Sequence, residues 1–364
     1  MRFAAPADLV VDIVINNYNY GNYLLDALDS ARGQTHPRVN VIAVDDGSSD
    51  DSRQILSRHG DGVAVVFKEN GGQASALNAG MEHSEGDVVI FLDADDTLEP
   101  QAAERVAAAF AADPLVSKVQ FRMEVIDDAG RRSGTIKPPA HLPLPGGDLE
   151  HSELAYPYDL VWLPTSGNAF RGAALRRILP IPESAYPVCG ADWYLVHLTT
   201  LLGRVVSLDS VCACYRVHGG NNYEPQSASL DLAQLRQTIG FAATTSEQLL
   251  GLAARLGQPR PAEILSVADL ANRMISLRLE PELHPIAGES SGRLLLDAVR
   301  ACRRRDNVTA TMKLLFAGWF AAMALAPRPL ARRLAELFLF PERRRPLNHL
   351  LARLHGPDDA AAVA

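Results

Sequence analysis

Over the first hundred positions, short β-branched runs alternate with segments whose apolar residues recur at helical spacing. Val10 to Ile15 is one such run, followed by Leu24, Ala27, Leu28 and Ala31 on one face of a helix that Asn22 can cap. Val39 to Val44 predicts a second strand, ending at Asp45-Asp46-Gly47-Ser48-Ser49. The helix after it would carry Asp50 and Asp51 in its first turn and stop before Gly60. Val63 to Phe67 predicts a strand, Gln73 to Met81 a helix, and Val88 to Leu92 a fourth strand. Strands that alternate with helices pair in parallel and are covered on both faces. Ligands of such sheets bind beyond the carboxyl ends of the strands. Asp45, Asp46, Asp93 and Asp95 all fall at such ends.

The pattern then changes. Val119, Phe121, Met123 and Val125 alternate, and Asp127-Asp128-Ala129-Gly130 reads as a hairpin turn. Residues 137 to 164 hold six prolines and the pair Gly146-Gly147, which predicts a long surface loop. Ala173 to Leu179 and Asp192 to Leu202 read as helices, and Val205 to Arg216 as extended chain. From about Ser227 the signal is almost all helix. Leu230, Leu235, Ile239, Leu249, Leu252 and Leu256 belong to one or two helices, and Ile264 to Leu279 to another. The expected division is an α/β domain over 1–225 and a helical region over 226–364.

Composition narrows the class. The 364 residues are 47% hydrophobic and 21% charged, as in a soluble globular protein. A net charge of -8 argues against a general nucleic-acid binder, whose affinity rests on cations against phosphates. That charge is uneven. Ser290 to Gly356 holds 13 Lys and Arg against 4 Asp and Glu, or +9, which leaves 22 against 39, or -17, for the remainder. Cys189, Cys212, Cys214 and Cys302 show no CxxC spacing, which fits free thiols in a reducing compartment. The first residues lack a basic segment before a clean apolar stretch, so no signal peptide is expected. No uncharged apolar run reaches the roughly 18 residues of a membrane span. A cytoplasmic protein is the expectation.

The candidate chemistry centres on VVIFLDADDTLEP, residues 88 to 100. In extended chain Asp93 and Asp95 point to the same side and form a hard oxygen pair. Such a pair suits Mn²⁺ or Mg²⁺, which in turn holds a diphosphate. An acidic, solvated strand end is the plain alternative. Asp93, Asp95 and Thr97 also resemble the DxDxT motif of haloacid-dehalogenase-type phosphatases, in which Asp93 would be the nucleophile and Asp95 the acid and base. That family needs further catalytic groups on later strands of the same sheet, and no second series of strand–helix units follows residue 97.

A second resemblance explains more residues. VDIVINNYNYGNYLLDAL, VIAVDDGSSDDS, NGGQASALNAG and the DxD strand occur in the order found in family 2 glycosyltransferases. The chain resembles that family over roughly residues 9 to 222. Asn16-Asn17 stands where the family usually has Pro-Thr, a departure in the first motif. The resemblance implies a GT-A fold, a mostly parallel central sheet flanked by helices, here with a C-terminal helical region. It implies an inverting, metal-dependent transfer of a sugar from a nucleotide diphosphate to a hydroxyl of a glycan or lipid-linked acceptor. Surface polysaccharide or glycoconjugate synthesis is the expected setting.

Residue roles follow from the same resemblance. Tyr18 would stack on the nucleobase and Asp46 would accept from its imide N–H, which favours a UDP or dTDP donor. Asn78, in NGGQASALNAG, is placed on the donor side. Asp93 would lie near the ribose or sugar, and Asp95 would bind Mn²⁺ or Mg²⁺ between phosphate oxygens. GADWYL, residues 190 to 195, resembles the segment bearing the catalytic base. Ala191 replaces the first acidic residue there, so Asp192 alone would take the acceptor proton. Trp193 would offer a sugar-stacking face or pack in the core. In YRVHGGNN, residues 215 to 222, His218 would sit at the diphosphate or the metal.

The tail lies outside this resemblance. Leu314 to Ala326 is apolar but too short to span a bilayer, and Arg303-Arg304-Arg305, Arg332-Arg333 and Arg343-Arg344-Arg345 flank it. Three readings stay open: a core helix, a partner interface, or peripheral contact with an anionic membrane at the inner face of the cytoplasmic membrane. The last residues, GPDDAAAVA, are expected to fray. A glycosyltransferase-like chain acting only through partners is the non-enzymatic alternative.

Overall fold

The computed structural model describes residues 5–221, 229–340 and 343. Asn222, Arg344, Arg345 and the terminal segment from Gly356 lie outside the described residues. The first strands and helices are β1 (Val11–Asn17), α1 (Gly21–Arg32), β2 (Val39–Asp46), α2 (Ser52–His59), β3 (Val63–Lys68), α3 (Gln73–Glu82) and β4 (Val88–Asp93). There follow β5 (Thr97–Leu98), α4 (Ala102–Ala112), β6 (Val116–Ile126), β7 (Arg132–Lys137), α5 (Glu150–Ala155), β8 (Asn168–Arg171), α6 (Gly172–Ile178), α7 (Ala191–Thr200) and β9 (Arg204–Arg216). The remaining helices are α8 (Leu232–Leu256), α9 (Val267–Leu279), α10 (Ser291–Arg304), α11 (Ala310–Leu325) and α12 (Arg328–Leu339).

Among the described residues the strands form one sheet in the order β3-β2-β1-β4-β8-β6-β9-β5, with β7 paired to β6. Pairing is parallel across β3-β2-β1-β4 and again between β6 and β9. Strand β8 runs antiparallel between β4 and β6 and joins the two parallel parts. The sheet is therefore mixed. β1, β4 and most of β2 are buried because α1, α3 and α4 cover them, which explains their near-continuous apolar runs. The chain leaves β1 toward β2 and β3, then returns to the other side of β1 as β4. That reversal opens a crevice between the loops after β1 and β4, at the switch point where ligands of such sheets bind.

Local details depart from the sequence reading. Helix α1 begins at Gly21, so Asn22 lies inside its first turn and does not cap it. The Gly21 N–H is bonded instead to Asp50 Oδ2 at 2.9 Å. Asp50 and Asp51 precede α2, and Asp50 Oδ1 accepts from the Ser52 N–H. Strand β6 is buried on both faces over most of its length rather than alternating, because Val119, Phe121 and Met123 pack with α4 in the core while Lys118 on the alternate face reaches α7. The four cysteines are buried and free.

Two compact units emerge: residues to Glu150 with Val161–Gly220, and His151–Leu160 with the residues from Asn221 on. Residues 151–160, placed by the sequence in the first domain, pack with the helices. The reason is a cap. Ser266 precedes α9 without capping it, and Asp159 accepts from the Val267 and Ala268 N–H groups at 2.9 and 2.8 Å. Tyr158 N–H donates to Ser266 Oγ in the same corner. The core of the helical unit is built on Leu270, Met274, Leu294, Phe320 and Met323.

Candidate active site

Register sets the site. Asn16 on β1 pairs with Asp93 on β4 and Asn17 with Asp45 on β2, so the carboxyl ends of three strands carry polar groups side by side. Asn16 Nδ2 donates to Asp93 Oδ1 at 2.9 Å, and the Asp93 N–H donates to Ser166 Oγ at 3.0 Å. Just beyond β4 the chain turns, leaving Asp95 and Asp96 buried.

Asp95 Oδ2 faces His218 Nε2 at 3.0 Å. His218 Nδ1 accepts from the Gly220 N–H at 3.0 Å, so in the neutral ring the proton is on Nε2 and points at Asp95. The Tyr20 and Tyr23 rings, from the start of α1, pack on the imidazole with centroids 5.4 and 4.8 Å away. Asp96 Oδ1 accepts from the Arg216 N–H, whereas its Oδ2 is buried without a hydrogen-bond partner. Arg216, itself buried, donates to the Asp95 and Asp128 carbonyls and to Asp26 Oδ2.

Three carboxylates crowded into a poorly solvated corner resist ionising together. Burial, and then the charge of Asp95, push the Asp93 carboxyl up to about 7, against the opposing pull of the Asn16 amide. Asp192 is near enough to add to that shift. Asp96 is pushed well above the usual range by burial and then by Asp95 and Asp93. Asp192, in the first turn of α7, is raised by burial, against the Trp193 N–H that donates to its Oδ1 at 3.0 Å.

Asp46 has a different immediate duty from the one expected of it. It pairs with Lys68 at 2.5 Å, and its two oxygens accept from the Gly71 N–H at 3.0 Å and the Gly72 N–H at 2.8 Å. It thus ties down the 70–72 loop. Gly72 has φ +84°, and a Cβ there would lie 2.1 Å from the Pro187 carbonyl oxygen, so this loop meets the segment leading to α7 with no room for a side chain. Tyr18, just past β1, is 48% exposed. Asn78 is turned away from this cluster: its amide exchanges bonds with the Ile181 N–H and carbonyl at 2.8 and 2.9 Å and latches that segment to α3. Trp193 is half-buried, its ring 5.8 Å from that of His197, which in turn meets Trp162 at 5.3 Å.

The structure thus brings Asp93, Asp95 and His218 to one end of the sheet, links Asp93 through Gln73 to the residues just before Asp192, and leaves Asn78 outside. Gln73, Asp96 and Arg216 belong to the cluster and were not singled out in the sequence. Asp96 follows the DxD directly and Gln73 sits within NGGQASALNAG, but neither position announces its partners.

Residues 12–175 match the family model described as Glycosyl transferase family 2. An "uncharacterized glycosyltransferase" of Nostoc sp. is 31% identical over 238 residues, which are 64% of this chain and 73% of that one. The chain belongs to glycosyl transferase family 2. This glycosyltransferase also shares 36% identity over 113 residues with a chondroitin synthase of Pasteurella multocida, covering 30% of this chain and 12% of that much longer one. Among solved structures, S. aureus TarS 1-349 in complex with UDP superposes with a TM-score of 0.54 over 90% of both chains at 16% identity, which places the fold in the GT-A class. The same protein has been solved with UDP-GlcNAc. Family membership removes the phosphatase reading. The strand bearing Asp93 is fourth in a family 2 glycosyltransferase domain, not the opening strand of a phosphatase.

The fit of a divalent cation can be judged from the donors. Asp95 Oδ2 and His218 Nε2 face each other at 3.0 Å, one carboxylate and one imidazole, and Nε2 would ligate a cation after giving up the proton it holds toward Asp95. That donor set suits Mn²⁺ or Mg²⁺. Among the described residues no third His, Cys, Asp or Glu completes a cage. The remaining ligands would be diphosphate oxygens and water.

Proposed function

We propose that this glycosyltransferase is an inverting, metal-dependent enzyme. It moves a sugar from a UDP- or dTDP-linked donor to a hydroxyl of a glycan or lipid-linked acceptor, in surface polysaccharide or glycoconjugate synthesis. The observation that supports the reading is the link from Asp93 through Gln73 to the Gly190 and Ala191 N–H groups just before Asp192, at the end of the sheet where Asp95 meets His218. The donor diphosphate would lie over Asp95 and His218. Mn²⁺ or Mg²⁺ held there would offset charge on the departing nucleoside diphosphate. Tyr18, exposed beside the crevice, would stack on the base, and the base imide would compete with the 70–72 loop for Asp46. Asp93 would orient the ribose or sugar.

Asp192 would take the acceptor proton as the hydroxyl attacks the anomeric carbon from the side opposite the diphosphate. Its burial suits that task, since a raised pKa makes a stronger base. Trp193 would border the acceptor or donor sugar. The UDP and UDP-GlcNAc complexes of TarS favour a uridine donor, and the chondroitin synthase relative favours a polysaccharide product. We place the protein in the cytoplasm, reaching lipid-linked acceptors from the inner face of the membrane.

The test is thermal stabilisation by a panel of nucleotides and nucleotide sugars, with and without Mn²⁺. UDP or dTDP compounds should raise the melting temperature in a Mn²⁺-dependent way, and Asp95→Ala should abolish that dependence. Equal stabilisation of wild type and Asp95→Ala, with or without Mn²⁺, would overturn the assignment.

A further inference from the structure

Helix α11 is apolar around most of its circumference, Thr311 and Lys313 near its start being the exceptions. Met312, Phe320 and Met323 are buried in the core of the helical unit. At 3.6 residues per turn, Leu314, Leu315, Gly318, Ala322 and Leu325 share the opposite face. That face is open: Leu314 is 74% exposed, Leu315 42% and Leu325 85%. A helix that meets only water carries polar residues outward. Here the outward face carries leucine and no charge. The neighbouring helices repeat the feature with Leu296 on α10 and Leu330 and Leu337 on α12. Of the twelve large hydrophobic residues exposed among the described residues, these three helices hold six.

Charge says what covers such a face. Arg303 and Arg304 end α10 just before α11, and Arg328, Arg332 and Arg333 follow it on α12; all five are exposed. Arg303 and Arg333 have no carboxylate partner among the described residues. Arg328 and Arg332 make only the long pairs, 3.7 Å to Glu282 and 3.5 Å to Glu336. Helix α11 holds no acid at all. Docking this face on a second copy of itself would set arginine against arginine. A bilayer with anionic headgroups satisfies both features, with leucines in the acyl boundary and guanidinium groups at the phosphates.

We propose that the outward face of α11, bracketed by Arg303, Arg304, Arg328, Arg332 and Arg333, docks on an anionic lipid bilayer. No helix among the described residues is long and apolar enough to cross a membrane, so the contact is peripheral. The proposal does not rest on the donor chemistry, and its test reads lipid rather than turnover.

Because the native cysteines are all buried, Leu314→Cys in the full chain can be labelled selectively with an environment-sensitive fluorophore. Phosphatidylglycerol-containing vesicles should shift its emission to the blue and carry the protein upward on flotation, and phosphatidylcholine vesicles should not. High salt should reverse the binding. Leu325→Ser with Leu315→Ser, and separately Arg332→Glu with Arg333→Glu, should each weaken binding by at least about tenfold. Unchanged melting temperatures and far-UV circular dichroism would show that both variants remain folded. Emission already blue without lipid would mean that the chain itself or a second copy covers the face, and would overturn the proposal. So would equal binding to phosphatidylcholine, or none to either vesicle.

Discussion

Gln73 ties Asp93 to the start of the helix that carries Asp192. Its Nε2 donates to Asp93 Oδ1 at 3.3 Å and to Thr165 Oγ1 at 3.2 Å. Its Oε1 accepts from the Gly190 and Ala191 N–H groups at 3.1 and 3.2 Å, the two residues directly before the acid. One amide therefore spans the donor side and the acceptor side. Gln73→Ala should lower kcat by about 10- to 100-fold through misplacement of α7, with donor affinity changed far less. Gln73→Glu keeps the two backbone contacts and sets a like charge beside Asp93. It should retain more kcat than the alanine variant and move the acid limb of the pH profile upward. Matching losses of kcat and pH profile in both variants would reduce Gln73 to a packing role.

Asp192→Asn preserves size and the acceptance from the Trp193 N–H but cannot take a proton. Turnover should fall by at least about 10²-fold, while Mn²⁺-dependent binding of the donor stays near wild type. Steady-state kinetics beside donor titration by calorimetry separates the two. Full turnover in this variant would remove Asp192 from the mechanism.

The raised pKa of Asp93 has a consequence for stability. The unfolded chain releases this proton near pH 4, whereas the folded chain holds it to about 7. Between those values the folded state binds more protons than the unfolded one, so stability falls as pH rises through the window. Asp93→Asn removes that penalty and should be more stable than wild type at pH 8, yet close to it at pH 4. Melting temperatures at the two pH values measure the difference. Mn²⁺ with UDP should narrow it, because they favour the ionised carboxyl. A loss of stability at both pH values would show that the bonds from Asn16 and Gln73 outweigh the buried charge.

Arg216 should be the least replaceable residue near the site. Its guanidinium is fully buried, lies over the Tyr23 ring and bonds the loop after β4, the turn after β6 and Asp26 on α1. Arg216→Met leaves those acceptors and Asp26 without their cation and should cost about 3–5 kcal/mol in denaturant unfolding. Arg216→Lys should recover only part, since an ammonium cannot reproduce the fork. A cost within about 1 kcal/mol of wild type for the methionine variant would count against this assignment.

The alternation of β-branched runs with helical spacing determined the parallel half of the sheet, the ends at which Asp46, Asp93 and Asp95 stand, and the family. Those features are local: a period of two or of 3.6, and an acid where burial stops. Tertiary structure alone decided the rest. Strand β8 enters antiparallel between β4 and β6, which no short window carries. Asp159 caps a helix that begins more than a hundred residues later, and so draws 151–160 out of the domain in which its sequence lies. The side-chain carbonyl of Gln73 finds its N–H partners 117 and 118 residues away, and Asn78 is diverted to Ile181. On α11 the sequence shows apolar residues on almost every side, and only the packing tells which side is dry. Hydrogen bonds and burial between distant segments depend on where the chain returns, and local pattern does not encode the return.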